Sequence, residues 1–132
     1  MSQENVEIVR RFTEYWNNRD WAALRALHDP SVVVLPPANW PDGEISRGPD
    51  AWIRQIRRLK DSWATDRSEI EQIHEAGSNV LVQHRWTARG KDSGIGFETG
   101  FWIVFTLDAG SITRIEYFLD RSRALEAAGV KE

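Results

Sequence analysis

The stretch SITRIEYFLDRSRALEAAG, residues 111–129, changes its hydrophobic period in the middle. Apolar and polar residues alternate at its start, which predicts a β-strand over 111–120. The remainder predicts a short helix over 121–128 that ends at Gly129, because glycine readily adopts the left-handed conformation that closes helices. Asp120 lies between the two segments, where it is either only a helix cap or the acid of a functional site.

The residues before this stretch predict three further strands, at 67–76, 79–89 and 95–107. Turn sequences separate the strands, and such short connections make neighbours antiparallel. The front of the chain predicts a helix that NNRD (17–20) ends, a short helix over 21–28, a strand over 31–35, and a third helix from Pro49 to about Trp63. Helices packed on one face of an antiparallel sheet make an α+β fold, and we expect one domain over 1–132.

Composition excludes several classes of protein. The chain has 132 residues, no cysteine and a net charge of −3, so we expect no disulfides and a cytoplasmic setting. No Lys/Arg run is interleaved with aromatics, which argues against a nucleic-acid partner. RQIRRLK (54–60) is basic, but an apolar helical stripe runs through it, so we interpret it as the outer face of the third helix. No apolar run reaches membrane-spanning length, and the polar N-terminus shows no signal-peptide core.

The element order, with YWNNRDWAALRALHDPSVVV (15–34) at the front and residues 111–129 at the back, resembles the nuclear transport factor two-like superfamily and, within it, the SnoaL-like proteins. The resemblance implies a cone, in which a strongly curved sheet wraps the helices and leaves a pocket open at one end. It also implies a frequent dimer through the outer sheet face. Members include polyketide cyclases, ketosteroid isomerases, limonene-epoxide hydrolases, dehydratases and proteins without chemistry, so this fold does not fix the function.

Strand 79–89 carries the candidate base. Its more apolar face includes His84 and Trp86, which therefore point inward. His84 is either a pocket residue able to act as acid or base, or a core histidine held by a hydrogen bond. His74 lies near Glu71 and Glu75, but no third ligand is spaced to complete a metal site, so no metal is expected.

The resemblance also suggests which chemistry to test. His84 and Trp86 take the places of the Arg-x-Asp pair of the epoxide hydrolases, which argues against that mechanism. In the cyclases an aspartate at the position of Asp120 works with a histidine on the preceding strand. Strand 95–107 has no histidine, so His84 would have to substitute from one strand further back. Tyr15 matches the first-helix tyrosine of the ketosteroid isomerases, without a matching pair of acids.

The direction of the last strand's acids is left open. Simple alternation sends Glu116 and Asp120 to solvent, whereas the resemblance places them at the pocket mouth. A bulge, or a dimer that packs on Tyr117, would reconcile the two.

Tryptophans complete the candidate site. Trp16 and Trp52 are expected in the core. Trp40, in the proline-rich loop, is either a lid over the pocket or packs on the third helix, and Trp102 could lie on either face of its strand.

These patterns lead to two hypotheses about function. The first is a cofactor-independent acid–base enzyme (isomerase, cyclase, dehydratase or hydrolase) for an apolar cyclic or polyketide-like molecule. Asp120 and His84 would be catalytic in it, and substrate would be bound by Tyr15, Trp40, Trp86, Trp102 and Glu116. The second is a non-catalytic ligand-binding or dimeric accessory protein. Convergence of Asp120, His84 and Tyr15 in one pocket would favour the enzyme.

A homodimer through the sheet is expected because strand 95–107 is apolar on both faces.

Overall fold

The helices and strands follow the predicted order, except that a two-residue strand at 46–47 lies where the sequence predicted only a loop. The computed structural model describes residues 2–37 and 44–130. Within these ranges the elements are α1 (Ser2–Asn18), α2 (Trp21–Ala26), β1 (His28–Leu35), β2 (Ser46–Arg47), α3 (Pro49–Asp61), β3 (Trp63–Ala76), β4 (Asn79–Gly90), β5 (Gly96–Asp108), β6 (Ser111–Phe118) and α4 (Arg121–Ala128). None of these helices is long and apolar enough to cross a membrane.

The strands form one curved, unclosed sheet in the order β2-β1-β6-β5-β4-β3. The long strands β3 to β6 pair as an antiparallel meander. The first strand, β1, runs parallel to β6, with Val33 opposite Arg114. Because three helices pack against one face of this mixed sheet, the predicted α+β class is confirmed.

The main core lies between the helices and the concave face of the sheet. Its largest side chains include Phe12 and Trp16 of α1, Trp52 of α3, and Phe105 of β5, all almost fully buried. The rings of Phe12 and Phe105 meet edge to face with centroids 5.0 Å apart, a preferred geometry for aromatic pairs. This contact joins α1 to the centre of the sheet. Trp16 and Trp52 are buried in the same cluster, as predicted.

Two strands begin earlier than the sequence pattern predicts. His28 is the first residue of β1 and not part of α2, and its Nδ1 lies 2.8 Å from the carbonyl oxygen of Leu24. The third helix ends at Asp61, and β3 starts at Trp63, opposite Gly90 of β4. The early start of β3 brings Trp63 and Asp66 into the sheet.

The last strand ends at Phe118, two residues earlier than predicted, and alternation describes it only from Arg114 onward. A bulge lies between Ile112 and Arg114, and both Ile112 and Ile115 are buried in the core. Past the bulge the strand alternates regularly, so Tyr117 points into the concave face. Glu116 points outward and pairs with Arg114 at 3.2 Å. The bulge lies too early in the strand to turn Glu116 inward.

The convex face of the sheet is covered in part by α4. Leu81, Trp102 and Val104 of the sheet form a second buried cluster with Ala124 and Leu125 of the helix. The helix stops at Gly129, whose φ of 78° is the left-handed conformation expected there. The chain itself therefore covers apolar surface that we assigned to a partner subunit, and the homodimer stays a prediction.

Candidate ligand-binding cavity

A cavity of about 540 Å³ opens between α3 and the concave face of the sheet. Six aromatic side chains line it: Trp16, Trp63, Trp86, Phe97, Phe101 and Tyr117. The remaining described lining residues are Pro37, Gln55, Arg58, Leu59, Ser62, Thr99 and Leu119. Phe97 and Leu119 are about half exposed, at 48% and 52%, and therefore lie at its mouth.

The aromatic walls support one another. Trp63 meets Trp86 edge to face with centroids 5.4 Å apart and stacks on Phe97 at 5.9 Å. Deeper in the cavity, Phe101 lies 5.6 Å from the ring of Tyr117. These rings come from β3, β4, β5 and β6, so the curvature of the sheet is what gathers them around one space.

Few of the cavity's described lining residues have charged or titratable side chains. Among its described lining residues Arg58 is the one with a charge, and it is exposed on α3. Gln55 is engaged elsewhere, because its side-chain amide donates to the Glu44 carbonyl oxygen and to Ser46 Oγ. Burial raises the pKa of the Tyr117 phenol, which therefore stays protonated at neutral pH. None of these groups is a general base at neutral pH.

A buried ion pair lies behind two of the tryptophans. Lys60 Nζ contacts both carboxylate oxygens of Asp66, at 2.9 and 3.0 Å, and the two side chains are only 1% and 2% exposed. The indole N–H groups of Trp16 and Trp86 both donate to Asp66 Oδ2, at 3.3 and 3.1 Å. Desolvation lowers the pKa of Lys60, and the hydrogen bond and charge of Asp66 oppose that shift. The prediction that RQIRRLK is an outer basic face is therefore wrong at Lys60.

His84 points inward, as predicted, but it lies beneath the cavity wall. Its ring contacts Phe101 edge to face, and its Nε2 is 3.2 Å from Thr13 Oγ1 of α1. Burial lowers the pKa of His84 from 6.5 to about 4. The imidazole is therefore neutral at pH 7 and is not among the residues that line the cavity.

Asp120 caps α4 at the surface. Its Oδ1 accepts a hydrogen bond from the Ser122 N–H at 2.8 Å, and its side chain is 57% exposed. Neither Asp120 nor Glu116 lines the cavity, although their neighbours Leu119 and Tyr117 do. The structure does not bring Asp120 and His84 together in this cavity.

The other predicted binding residues divide into three cases. Trp86 lines the cavity, whereas Tyr15 packs at the edge of the main core and is not a lining residue. Trp102 lies on the opposite face of the sheet, where Arg121 of α4 stacks over its ring at 5.8 Å. Trp40 lies outside the described residues.

Sequence reasoning missed Trp63, Phe97, Phe101 and the Lys60–Asp66 pair. One signal was available for Lys60, which lies four residues after Ile56 and eight after Trp52, on the buried stripe of α3. A lysine on an apolar stripe needs an acid partner. The position of Asp66 depends on how β3 pairs with β4, which no local pattern shows.

A second hollow, of about 470 Å³, lies on the strand ends near the β4–β5 turn. Its charged lining residues are Asp66, whose side chain is buried, and Arg67, Arg89 and Glu98, which are exposed to solvent. We therefore place the candidate site in the aromatic cavity. Among the described residues, no three acidic or histidine side chains converge as a metal ion would require.

Comparisons with known proteins agree with this architecture. Similar solved structures include an NTF2-like protein from Burkholderia thailandensis (25% identity, TM-score 0.80, 99% of both chains). A proposed SnoaL-like polyketide cyclase from Jannaschia sp. CCS1 is 22% identical, with a TM-score of 0.79 over 100% of this chain and 96% of that one. TerC, crystallised with polyporic acid, is 18% identical, with a TM-score of 0.79 over 95% of this chain and 97% of its own.

No curated protein sequence matches the chain. The sequence model of the SnoaL-like domain does match, over residues 9–115. That range begins within α1 and ends within β6, and it contains the described lining residues of the cavity other than Tyr117 and Leu119. The chain therefore belongs to the SnoaL-like domain family.

Proposed function

We propose that this protein binds a small, largely apolar molecule with planar rings in the aromatic cavity. The observation that carries the proposal is the convergence of six aromatic rings on a space of about 540 Å³. Ligand sites typically have volumes of roughly 300–1,000 Å³ and are lined mainly by apolar and aromatic side chains. Flat rings are favoured as ligands because they can stack on, or meet edge to face, the rings of the wall.

The geometry supports binding without acid–base catalysis. A general base must come within hydrogen-bonding reach of the proton that it removes. Among the described lining residues Arg58 has no acceptor atom in its guanidinium group, and burial keeps the Tyr117 phenol protonated at neutral pH, so neither can act as that base. The two predicted catalytic residues lie in different places: Asp120 is an exposed helix cap, whereas His84 is buried and forms a hydrogen bond with Thr13. We therefore favour the non-catalytic, ligand-binding hypothesis.

The charge at the cavity suggests the polarity of the ligand. Arg58 is the charged residue among the described lining positions, and no carboxylate lies among them. A guanidinium favours an anion and presents two donors to a carboxylate. An aromatic acid therefore suits the site better than an aromatic amine. The crystallisation of TerC with polyporic acid supports this fold as a holder of small molecules.

The test uses anthracene-2-carboxylate as the probe and isothermal titration calorimetry as the measurement. Leu119→Glu places a negative charge at the mouth of the cavity, and the matched control Ile95→Glu places one on another exposed aliphatic position that does not line it. We expect Leu119→Glu to weaken binding by about 10-fold or more, through lost apolar contact and repulsion of the probe. Ile95→Glu should bind like the wild type. Absence of wild-type binding, or equal weakening in both variants, would contradict the proposal.

A further inference from the structure

Asp66 of β3 connects three other elements behind two of the tryptophans that line the cavity. Its carboxylate accepts hydrogen bonds from the indole N–H of Trp16 in α1, the indole N–H of Trp86 in β4, and the ammonium group of Lys60 in α3. Both tryptophans line the cavity, whereas neither charged side chain does. The charged pair is therefore joined to the binding site through two of its walls.

Stability alone does not explain this arrangement. Burying two charges costs several kcal/mol of hydration free energy, and well-packed apolar replacements of such pairs are often neutral or stabilising. What an apolar pair could not supply is an acceptor for the two indole N–H groups. Each of those hydrogen bonds restricts the rotation of a large ring in the cavity wall.

The orientation of Trp86 affects further rings. Its ring meets Trp63 at 5.4 Å and Phe97 at 6.0 Å, and Trp63 stacks on Phe97. A rotation of the Trp86 indole would therefore displace both neighbours, one of which lies at the mouth. Trp16 is constrained from a second side, because the Lys60 ammonium lies 5.3 Å from the centre of its ring.

We propose that Asp66 is the positioning residue of the cavity: it orients Trp16 and Trp86 so that their rings form a wall of fixed shape, while Lys60 balances its charge. The inference rests on the proposed function, since the wall matters only if a ligand contacts it. Asp66 does not itself touch the ligand in this account. It determines which ring shapes fit.

Two double variants separate positioning from charge. Lys60→Met with Asp66→Leu removes the buried charges and also removes the acceptor for both indoles. Lys60→Met with Asp66→Asn removes the same charges but keeps a side-chain oxygen that can accept an indole N–H. The difference in affinity between the two variants measures the effect of the hydrogen-bond acceptor at residue 66. Neither variant leaves an unpaired buried charge.

For anthracene-2-carboxylate we expect the leucine variant to bind about 10-fold more weakly than the wild type, and the asparagine variant to stay within about threefold. Binding is compared at a temperature at which thermal unfolding shows both variants fully folded, so that a difference in affinity does not come from unfolded protein. Equal affinity in the two variants would overturn the proposal. A leucine variant that binds as well as the wild type would do so too.

A measurement on the ligand-free wild type keeps the test decisive if the leucine variant does not fold. Solvent exchange of the indole N–H groups, followed by NMR, should be markedly slower for Trp16 and Trp86 than for the partly exposed Trp63. Equal exchange at all three would overturn the proposal whatever the variants do. If the wild type binds no probe, the proposed function fails, whereas slow exchange would still support the positioning of the two indoles.

Discussion

Burial determines the chemistry of His84. The sequence predicted its inward direction from alternation along β4, but its partner, Thr13, is 71 residues away and could not be inferred. The imidazole is 2% exposed, and desolvation lowers its pKa to about 4 from 6.5. The residue that the sequence offered as a base is therefore a neutral part of the core at pH 7.

A pH dependence of stability follows from this shift. Between pH 6.5 and about 4 the unfolded chain protonates this histidine while the folded chain does not, so stability falls as the pH drops. The loss over that window is roughly 3 kcal/mol. His28 is also buried with a lowered pKa and adds to the loss in the same direction.

Urea denaturation at a series of pH values checks the contribution of His84. His84→Gln, which keeps a hydrogen-bonding side chain without titrating in this range, should reduce the acid-induced loss of stability. The control is His74→Gln, which replaces an exposed histidine on β3 and should leave the loss unchanged. An unchanged slope in His84→Gln would contradict the assignment.

At the scale of elements, local signals predicted some ends well and others poorly. The cap at Asp120 and the stop at Gly129 were both readable, because they depend on residues within one turn of the helix. The sequence did not predict where α3 ends and β3 begins. Leu59 and Trp63 continue the helical spacing of Trp52 and Ile56, and only the pairing of Trp63 with Gly90 shows that a strand has begun.

The exposed cap gives a prediction for Asp120. Asparagine caps a helix about as well as aspartate, so Asp120→Asn should leave the free energy of unfolding nearly unchanged, whereas Asp120→Ala should lower it by about 1 kcal/mol. Chemical denaturation measures both, with Asp92→Ala, in an exposed turn, as the control. Equal losses in the asparagine and alanine variants would contradict a pure capping role. Should a turnover be found, its loss in the asparagine variant would restore Asp120 as a catalytic acid.

At the scale of the whole molecule, the predicted partner surface is more polar than the sequence indicated. Trp102 and Val104 gave strand 95–107 its second apolar face, and α4 covers both. Elsewhere on this face Arg85 pairs with Glu71 and Glu98. The sequence pattern could not predict this contact, because α4 packs on β4 and β5 only in the folded protein, and no local pattern shows which strands it covers.

A homodimer through this face would therefore have an electrostatic interface. We expect its dissociation constant, measured by sedimentation velocity, to rise when salt is increased from about 0.05 M to about 0.5 M, since screening weakens exposed ion pairs. Reversing the charge of Arg85 with Arg85→Glu should weaken the dimer at low salt. A monomer at every concentration, or a dimer insensitive to salt, would contradict a dimer through the sheet.

We expect a ligand to bind in the six-ring cavity. The most direct measurement is a set of intermolecular nuclear Overhauser effects between bound anthracene-2-carboxylate and assigned tryptophan ring protons. We expect contacts from the probe to Trp63 and Trp86, which line the cavity, and none to Trp102, which lies on the opposite face of the sheet. Contacts to Trp102 without contacts to Trp63 and Trp86 would place the ligand outside the cavity and contradict this assignment of the binding site.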